Sequence, residues 1–314
     1  MLRTVSELDI RWIRTFLSIV EAGGLSAAQA TLNSQQPAIS AQLKKLEERV
    51  GFDLCKRGRS GFSLTPEGER FVEAARRLVA ATEDFQMEVN DIAQQATGII
   101  HIGLIGEIDP QATEKIAQVF ASLRTRFQGV RIALTELPPA LLAEGVLNGS
   151  IDLAIGYFWQ KLPALDYEPL FKETQIAYCS ASHPLFEQAG ALLRNDFGQS
   201  EWVWPSHPLK EMSPPTGLDT VTARTDSMDS AALLILSGQH LGFLPQHYAT
   251  KYEHLNQLRA LNAEQWRYEV DFQVVVRQAS RHWEVISVLL AELSNTFSSE
   301  RVQSEQDAFC AISK

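Results

Sequence analysis

The stretch AQATLNSQQPAISAQLKKLE, residues 28–47, decides how the first part of this chain folds. It begins as a short helix, turns at Asn33 and continues as a longer helix. Pro37 fits near the start of the longer helix, because the first turn has no partner for the N–H that proline lacks. An apolar stripe along this helix is expected to be buried: Ile39, Leu43, Leu46 and Val50. The pattern predicts a helix-turn-helix, whose second helix enters the major groove of DNA.

Polar residues before each of the first three helices indicate where the helices begin. Ser6 with Asp9 has the spacing of a capping box. Ser26 with Gln29 is expected to cap the short helix, and Ser34 the longer one. The N-terminal part is therefore predicted to contain three consecutive capped helices.

A basic turn follows the three helices. Gly58 and Gly61 bracket it, and Arg57 and Arg59 lie near its tip. This pattern predicts a two-stranded wing, whose arginines would contact phosphates or enter a minor groove. Thr65 then occupies the position of an N-cap for a further helix.

The further helix carries a heptad pattern. Its apolar or small residues alternate spacings of four and three: Phe71, Ala75, Leu78, Thr82, Phe85, Val89 and Ile92. A seam of this period predicts a coiled-coil homodimer, in which two winged heads would read two half-sites. The alternative is an amphipathic helix that packs on its own domain.

Composition and charge are those of a globular protein with a basic head. The 314 residues carry a net charge of −10, yet residues 1–60 contain nine Lys/Arg and six Asp/Glu. This asymmetry favours a nucleic-acid-binding head on a body with another task. No segment reaches the ~18 consecutive apolar residues of a membrane span. The charged N-terminus does not resemble a signal peptide either, so we expect a cytoplasmic protein without a membrane partner.

Cysteine and histidine spacing predicts neither a metal site nor a cofactor. Cys55, Cys179 and Cys310 are isolated, which argues against a zinc ribbon or a disulfide framework and favours structural thiols, with a redox sensor left open. Three histidines recur every seven residues from His240, but Pro245 interrupts any single helix through them. The common motifs of metalloproteases, P-loop proteins, serine hydrolases and dinucleotide-binding enzymes are absent from the sequence, so we expect no enzyme.

From Gly98 onward the chain alternates between strands and helices. The first three strands, separated by two helices, predict a parallel sheet with right-handed crossovers. A second unit begins near Pro163, and the last strand and helix are expected to return to the first unit. The sequence therefore predicts an α/β body of two subdomains, in which ligands bind at the carboxyl ends of strands.

Together these patterns resemble the LysR-type transcriptional regulators. The family pattern in the second and third helices runs approximately A-A-x-x-L-x-x-S-Q-P-A-[VI]-S-R-Q-[IL]-x-x-L-E. The stretch LCKRGRSGFSLTPEG, residues 54–68, is similar to the family's L-F-x-R…L-T-x-x-G. The resemblance implies an α/β protein with a winged helix-turn-helix domain, a long linker helix and a periplasmic-binding-protein-like effector domain of two α/β subdomains. The implied boundaries are 1–65, 66–95 and 96–314, with subdomain I at 96–162 plus 269–300 and subdomain II at 163–268.

The same resemblance implies that Gln36, Pro37 and Ser40 face base edges. Their chemistry fits, since glutamine pairs with adenine and a proline ring can touch a thymine methyl group. Gln35 replaces the family's usual serine and Ala41 a frequent arginine, so the half-site is expected to differ from the family's commoner ones. The full set expected to contact DNA is Ser34, Gln35, Gln36, Pro37, Ser40, Lys44, Lys45, Arg57 and Arg59.

Because ligands in such sheets bind at the carboxyl ends of strands, the residues that follow the strands predict an effector site. Glu107 stands where relatives that bind carboxylate inducers place hydroxyl groups, and its charge favours a neutral or cationic effector. The aromatic residues among the expected site residues would offer stacking or cation–π contacts, so an aromatic effector is a further candidate. The alternative is that Glu107 is a solvated loop residue and that the tryptophans belong to the core. The nominated residues are Gly106, Glu107, Ile108, Pro139, Tyr157, Phe158, Trp202, Trp204, Ser206 and Asp226.

The resemblance therefore implies a DNA-binding transcriptional regulator that responds to a small-molecule effector. It implies double-stranded operator DNA as a partner, a homodimer through the linker helix, a homotetramer, and contact with RNA polymerase. The alternative is a solute-binding or enzymatic α/β domain that its N-terminal helices merely dimerise.

Overall fold

The computed structural model describes residues 4–58, 61–92, 98–207, 214 and 217–312. Contacts within the chain group it into two compact units, Met1–Gln95 with Leu147–Ser150 and Ala96–Val146 with Ile151–Lys314. We call the first unit the head and the second unit the body. Within the described part of the chain, no helix combines the length and the apolar character that a membrane crossing requires.

The described part of the head contains four helices and a two-stranded wing. The helices are α1 (Glu7–Glu21), α2 (Ala28–Leu32), α3 (Gln36–Val50) and α4 (Pro66–Ile92), and the antiparallel strands are β1 (Cys55–Gly58) and β2 (Gly61–Leu64). The apolar stripe of α3 is buried, as the sequence predicts. It packs with fully buried Phe16 of α1 and with Val72 of α4, so one apolar core holds the head together.

The expected caps of α1 and α4 are confirmed. Ser6 and Asp9 form a reciprocal capping box at the start of α1. At the start of α4, the Thr65 hydroxyl accepts the backbone N–H of Gly68 at 2.9 Å. Both caps satisfy amides that have no partner inside their own helix.

The expected cap of α2 is wrong. The chain enters α2 through Ala27, whose backbone is already helical, so no extended residue is in place to cap the first turn. The Gln29 side chain instead donates to the carbonyl of Ser26 at 3.3 Å.

The expected cap of α3 is also wrong by one residue. Asn33 adopts the left-handed conformation and makes the turn, as predicted, but α3 is then entered through Gln35 instead of Ser34. Gln35 makes no side-chain cap bond. Pro37 lies in the first turn, where proline costs no hydrogen bond.

The apolar face of α4 divides into two parts. Phe71 and Leu78 pack against the head core, and Ala75 is buried within it. Farther along, Phe85 is 66% exposed and Val89 is 45% exposed. The side chain of Ile92, which ends the expected seam, lies outside the described residues. Packing on its own domain therefore accounts for the first half of the seam, and the second half presents apolar side chains to solvent.

The body is a mixed sheet with helices on its faces. Its strands in the described residues are β3 (Gly98–Leu104), β4 (Val130–Glu136), β5 (Leu153–Tyr157), β6 (Leu165–Ser180), β7 (Glu201–Trp204), β8 (Val221–Arg224), β9 (His240–Pro245), β10 (Leu258–Ala260) and β11 (Arg267–Arg277). Its helices are α5 (Pro110–Arg126), α6 (Pro139–Asn148), α7 (Met228–Leu236), α8 (Gln246–His254) and α9 (Glu284–Ile312). The order across the sheet is β4-β3-β5-β11-β6-β9-β7-β8, and β10 pairs with β6.

Two long strands join the halves of this sheet. β3 pairs in parallel with β4 and β5, as the sequence predicts, and β7 pairs in parallel with β8 and β9. Between these groups, β11 and β6 pair antiparallel along most of their length. We call β3–β5 with α5, α6 and α9 the first subdomain, and β7–β10 with α7 and α8 the second subdomain. β6 is 16 residues long, and its first half contains several polar residues and Pro169, so the sequence gives little indication of a strand there.

Candidate functional site

The outer face of α3 presents the residues expected to contact DNA. Gln35, Gln36 and Pro37 are exposed at the start of α3, and Ser40 is half-buried one turn later. Ala41, which stands in the place of a frequent arginine, is exposed on the same helix. The first two turns of α3 therefore offer amide, hydroxyl and apolar groups, which suit the edges of base pairs.

A groove of about 510 Å³ lies beside the start of α3. Ser34 lines it together with Gln42 of α3 and with Arg11 and Arg14 of α1. The two arginines were not selected from the sequence, because their spacing there is that of ordinary solvent-exposed residues of α1. Their position adds positive charge next to the start of α3.

The lysines of α3 have different surroundings. Lys44 forms an exposed ion pair with Glu48 at 3.8 Å, which contributes little to stability. The ammonium group of Lys45 lies 5.9 Å from the ring centre of Trp12. Both lysines remain exposed and available to phosphates. In the wing, only the backbone of Arg57 is described, and Arg59 lies outside the described residues.

In the body, a pocket of about 260 Å³ opens where three strand-to-helix loops meet. The loops follow β3, β4 and β8, and α6 and α7 begin at the pocket. The described residues that line it are Ile105, Gly106, Glu107, Glu136, Leu137, Pro138, Pro139, Asp226, Ser227, Met228 and Asp229. The pocket thus brings together four of the nominated residues, Gly106, Glu107, Pro139 and Asp226, from both subdomains.

Carboxylates dominate the polar lining of the pocket. The described lining contains Glu107, Glu136, Asp226 and Asp229, and no Lys, Arg or His. Asp226 accepts the backbone N–H of Ser206 at 2.8 Å, and Asp229 accepts the hydroxyl of Tyr248. Among the described residues, no side-chain hydrogen bond or ion pair engages Glu107 or Glu136, so their charges are available to a ligand.

The helix N-termini at the pocket are poorly equipped to bind an anion. A helix N-terminus normally offers free backbone N–H groups to negative charge. Here α6 begins at Pro139, and Pro138 precedes it, so two successive positions have no N–H. At α7, the Ser227 hydroxyl accepts the N–H of Ser230 at 3.3 Å. The pocket therefore combines several carboxylates with few amide donors.

The side chain of Glu136 packs directly against the backbone of Gly106. A Cβ atom added to Gly106 would come within 2.4 Å of Glu136 Oε1. The absence of a side chain at Gly106 is therefore what allows the Glu136 carboxylate to occupy this place. The sequence did not single out Glu136, because its position is that of the last residue of a strand.

Two nominated tryptophans belong to the core of the second subdomain. Trp202 is fully buried and Trp204 is 5% exposed. They pack against each other and against Phe243, with ring centres 5.5–6.0 Å apart. Their side chains do not line the pocket. For the two tryptophans, the alternative interpretation of the sequence, that they belong to the core, is therefore correct. Because side chains alternate along the short strand β7, both tryptophans point to the same face of the sheet. The sequence does not reveal that this face is the core.

The other nominated aromatic residues lie beside the pocket rather than in it. Phe158 is buried against Tyr167, with ring centres 5.8 Å apart. The Tyr157 ring is 5.4 Å from His207, and burial raises the pKa of Tyr157. His207 in turn contacts Asp226, with Nδ1 2.9 Å from Oδ1. Tyr157 of the first subdomain is thereby linked to the pocket through a residue of the second.

Of the remaining nominations, neither Ile108 nor Ser206 is among the residues that line the pocket. Ser206 holds Asp226 through its backbone, as described above. Ile108 follows Glu107 in the loop, and its carbonyl accepts the Thr113 hydroxyl at 3.3 Å. Both residues support the loops of the pocket.

The strand β6 carries a buried acidic group. Glu173 of β6 is 4% exposed, and its Oε1 accepts the side-chain amide of Gln175 at 2.8 Å. Burial, reinforced by the charge of Asp109, raises the pKa of Glu173 to about 8. The ring of His247 faces it, with Nδ1 3.5 Å from Glu173 Oε2. Glu173 has no distinguishing local pattern in the sequence, and His247 was considered there only as one of three histidines spaced by seven.

Comparisons with known proteins agree on the type of this chain. Residues 10–69 match the model of the "bacterial regulatory helix-turn-helix protein, lysR family", and residues 93–298 match that of the "LysR substrate binding domain". The chain is 35% identical over 280 residues to the HTH-type transcriptional activator BauR of Pseudomonas aeruginosa, a match that covers 88% of this chain and 92% of BauR.

Solved structures show the same fold. The crystal structure of CbnR, described as a LysR family transcriptional regulator, matches with a TM-score of 0.61 at 16% identity and covers 92% of this chain and 99% of CbnR. Full-length CbnR complexed with its target DNA matches with a TM-score of 0.60 at 17% identity, over 91% of this chain and 99% of that one. At these identities the likeness concerns the fold.

Proposed function

This chain belongs to the LysR family of bacterial helix-turn-helix regulators, and from that premise we propose which of its residues read DNA and which bind the effector. It is a DNA-binding transcriptional regulator with an effector-binding body, and its relatives are regulators rather than enzymes. The alternative of a solute-binding or enzymatic domain is thereby set aside. The roles of individual residues below are our proposal.

We propose that α3 reads the operator and that basic side chains around it set the affinity. The observation that carries this is the exposed Gln36-Pro37 pair on a helix whose opposite face is completely buried. Gln36 and Ser40 would bond to base edges, and Pro37 would contact a thymine methyl group. Lys44, Lys45 and the wing arginines Arg57 and Arg59 would contact phosphates, which supply affinity but little selectivity.

Binding of the purified protein to the DNA upstream of its own gene, measured at several salt concentrations, tests these roles. Gln36→Ala should reduce the discrimination between operator and unrelated DNA by about 1–3 kcal/mol. Lys44→Ala should weaken binding to both DNAs and reduce the slope of log K against log salt by about 0.9. Lys172→Ala, in the body, serves as the matched charge control. Equal losses of discrimination in the Gln36 and Lys44 variants would contradict the assignment.

We further propose a homodimer formed through α4, assembled into a homotetramer. The exposed Phe85 and Val89 support the dimer, because solvated apolar side chains in a heptad register favour pairing with a second helix. A dimer would place two copies of α3 at two half-sites. We also infer a cytoplasmic location, where chromosomal DNA and RNA polymerase are accessible as partners.

For the effector, we propose a neutral or cationic small molecule bound in the pocket of the body. The support is the lining: Glu107 and Glu136 are unpaired among the described residues, and Pro138 and Pro139 remove amide donors that an anion would need. A pocket of about 260 Å³ is small, so a compact ligand is expected. An aromatic cation remains a candidate, since the aromatic cluster around Tyr157 lies next to Asp226.

Matched pairs of small probes test the charge preference. Calorimetric titration of the full-length protein with benzylamine and benzoate, and with butylamine and butyrate, compares charge at constant shape. We expect each amine to bind more tightly than its carboxylate partner, and Glu107→Gln together with Glu136→Gln to remove the difference. Tighter binding of the carboxylates, unchanged in the double variant, would overturn this part of the proposal.

A further inference from the structure

Glu107 has a strained backbone at the edge of the pocket. Its φ angle is +57°, in the left-handed region that residues with a side chain rarely adopt. Such a conformation persists where surrounding contacts hold it. The residue therefore needs a partner that fixes its backbone.

That partner is His247, on α8 of the second subdomain. Nε2 of His247 lies 3.2 Å from the backbone carbonyl oxygen of Glu107, 140 residues away in the chain. A carbonyl oxygen only accepts hydrogen bonds, so Nε2 must carry the proton and donate. This bond ties the pocket loop of the first subdomain to a helix of the second.

The other ring nitrogen of His247 faces two carboxyl groups. Nδ1 lies 3.5 Å from Glu173 Oε2 and 3.8 Å from Asp109 Oδ2. Glu173 belongs to β6, which runs between the subdomains, and Asp109 caps α5 directly after the pocket loop. Among the described residues, Glu173 Oε2 has no hydrogen-bond partner, which leaves it oriented for the imidazole.

Both ring nitrogens of His247 therefore face polar groups. While Nε2 donates to Glu107, Nδ1 faces the Glu173 carboxyl group at 3.5 Å, which is a polar contact and not a hydrogen bond. The 16% exposure of the His247 side chain limits competition by water. The ring therefore lies between the Glu107 loop and the Glu173 carboxyl group of β6.

We propose that His247 is a positioning residue that holds the Glu107 loop in its left-handed conformation and couples this loop to the second subdomain. A ligand that pairs with Glu107 and displaces the loop must then break or move the bond to His247. The contact thereby transmits occupancy of the pocket to α8. The coupling role rests on the effector site proposed above, whereas the positioning role is a property of the protein without ligand.

Hydrogen–deuterium exchange of the full-length protein without ligand tests the positioning role. The side-chain amide of Gln reaches approximately the place of Nε2, and that of Asn the place of Nδ1. We expect His247→Ala and His247→Asn to speed exchange in a peptide covering residues 105–113 by roughly threefold or more. His247→Gln should stay near wild type, because it keeps a donor for the Glu107 carbonyl. His254→Ala, on the same helix, is the control and should leave this peptide unchanged.

Two results would overturn the proposal. One is exchange in the 105–113 peptide that does not respond to His247→Ala. The other is equal acceleration by the Asn and Gln variants, which would assign the effect to lost packing and not to the bond at Nε2. The benzylamine and benzoate titrations are independent of this experiment, so a wrong effector class and a wrong role for His247 are separately detectable.

Discussion

Arg49, at the end of the recognition helix α3, is bound to Asp9, which closes the capping box of α1. Arg49 Nε lies 3.0 Å from Asp9 Oδ1, and Asp9 is fully buried. Asp9 Oδ2 also accepts the backbone N–H of Ser6 at 2.8 Å. One carboxylate therefore caps α1 and anchors α3, so the pair sets the orientation of the helix that we propose reads the operator.

Breaking this pair should destabilise the head. Asp9→Asn removes the charge from a buried site and leaves Arg49 without its partner, so we expect a loss of about 1–3 kcal/mol, measured by thermal denaturation of the full-length protein. Lys44→Met, which breaks the exposed pair with Glu48, is the control and should change stability by less than about 0.5 kcal/mol.

The same pair predicts a response to acid. The hydrogen bond from Arg49 lowers the pKa of Asp9 to about 2. Because the pKa is depressed in the folded state, the stabilisation is complete above pH ~4 and is lost as the pH falls towards 2. The Asn variant should lack this part of the acid transition. An Asn variant as stable as wild type at neutral pH would contradict the prediction.

Glu173 predicts a pH dependence of the opposite sign. Its pKa of about 8 lies above its ordinary value, so the folded body retains a proton that the unfolded chain releases. The stabilisation is complete at pH ~4.5 and below, and it declines as the pH rises to about 8. Glu173→Gln should flatten the stability profile between pH 5.5 and 8.5 in thermal denaturation.

A matched variant isolates this effect of burial. Glu264 is exposed, so Glu264→Gln should leave the pH profile of wild type unchanged. If Glu173→Gln retains the full wild-type slope across this range, the proton is not on Glu173.

Gly106→Ala should change the pocket without changing the fold. The new Cβ would lie 2.4 Å from Glu136 Oε1, so the carboxylate must move aside. Since this is the free end of an exposed side chain, we expect almost no change in melting temperature and weaker binding of benzylamine in calorimetry. Unchanged benzylamine affinity would show that Glu136 is not part of the site.

Gly68→Ala is the contrasting substitution. There the added Cβ would lie 1.9 Å from the carbonyl oxygen of Leu54, and backbone cannot move aside as a side chain does. This variant should lower the stability of the head clearly, while its body still binds the probe.

Phe85 and Val89 predict an assembly surface on α4. Replacing both with Asp should raise the dimer dissociation constant more than tenfold, since each apolar side chain that a dimer buries is worth about 1.5–3 kcal/mol. Sedimentation velocity measures the shift. Leu255→Asp is the control, because Leu255 is 68% exposed and lies in the body. A double variant that sediments like wild type would remove α4 as the dimer surface.

The sequence by itself determined the elements of the head and, in the body, the first three strands with the two helices between them. The helix starts at Ser6 and Thr65, the turn at Asn33 and the buried stripe of α3 depend on residues a few positions apart. Such signals are local, because caps and apolar periodicity act within one or two turns. Where local signals were weak, as at Ser34 and in the first half of β6, boundaries shifted.

Only the tertiary structure decided which residues meet in the body. The expectation that ligands bind at the carboxyl ends of strands nominated Glu107 and Trp202 alike, yet the fold places Glu107 at the pocket and Trp202 in the core. The bond from His247 to Glu107 joins residues 140 positions apart. Local pattern cannot encode such a pair, because the distance between them is set by the packing of two subdomains on the long strands β6 and β11.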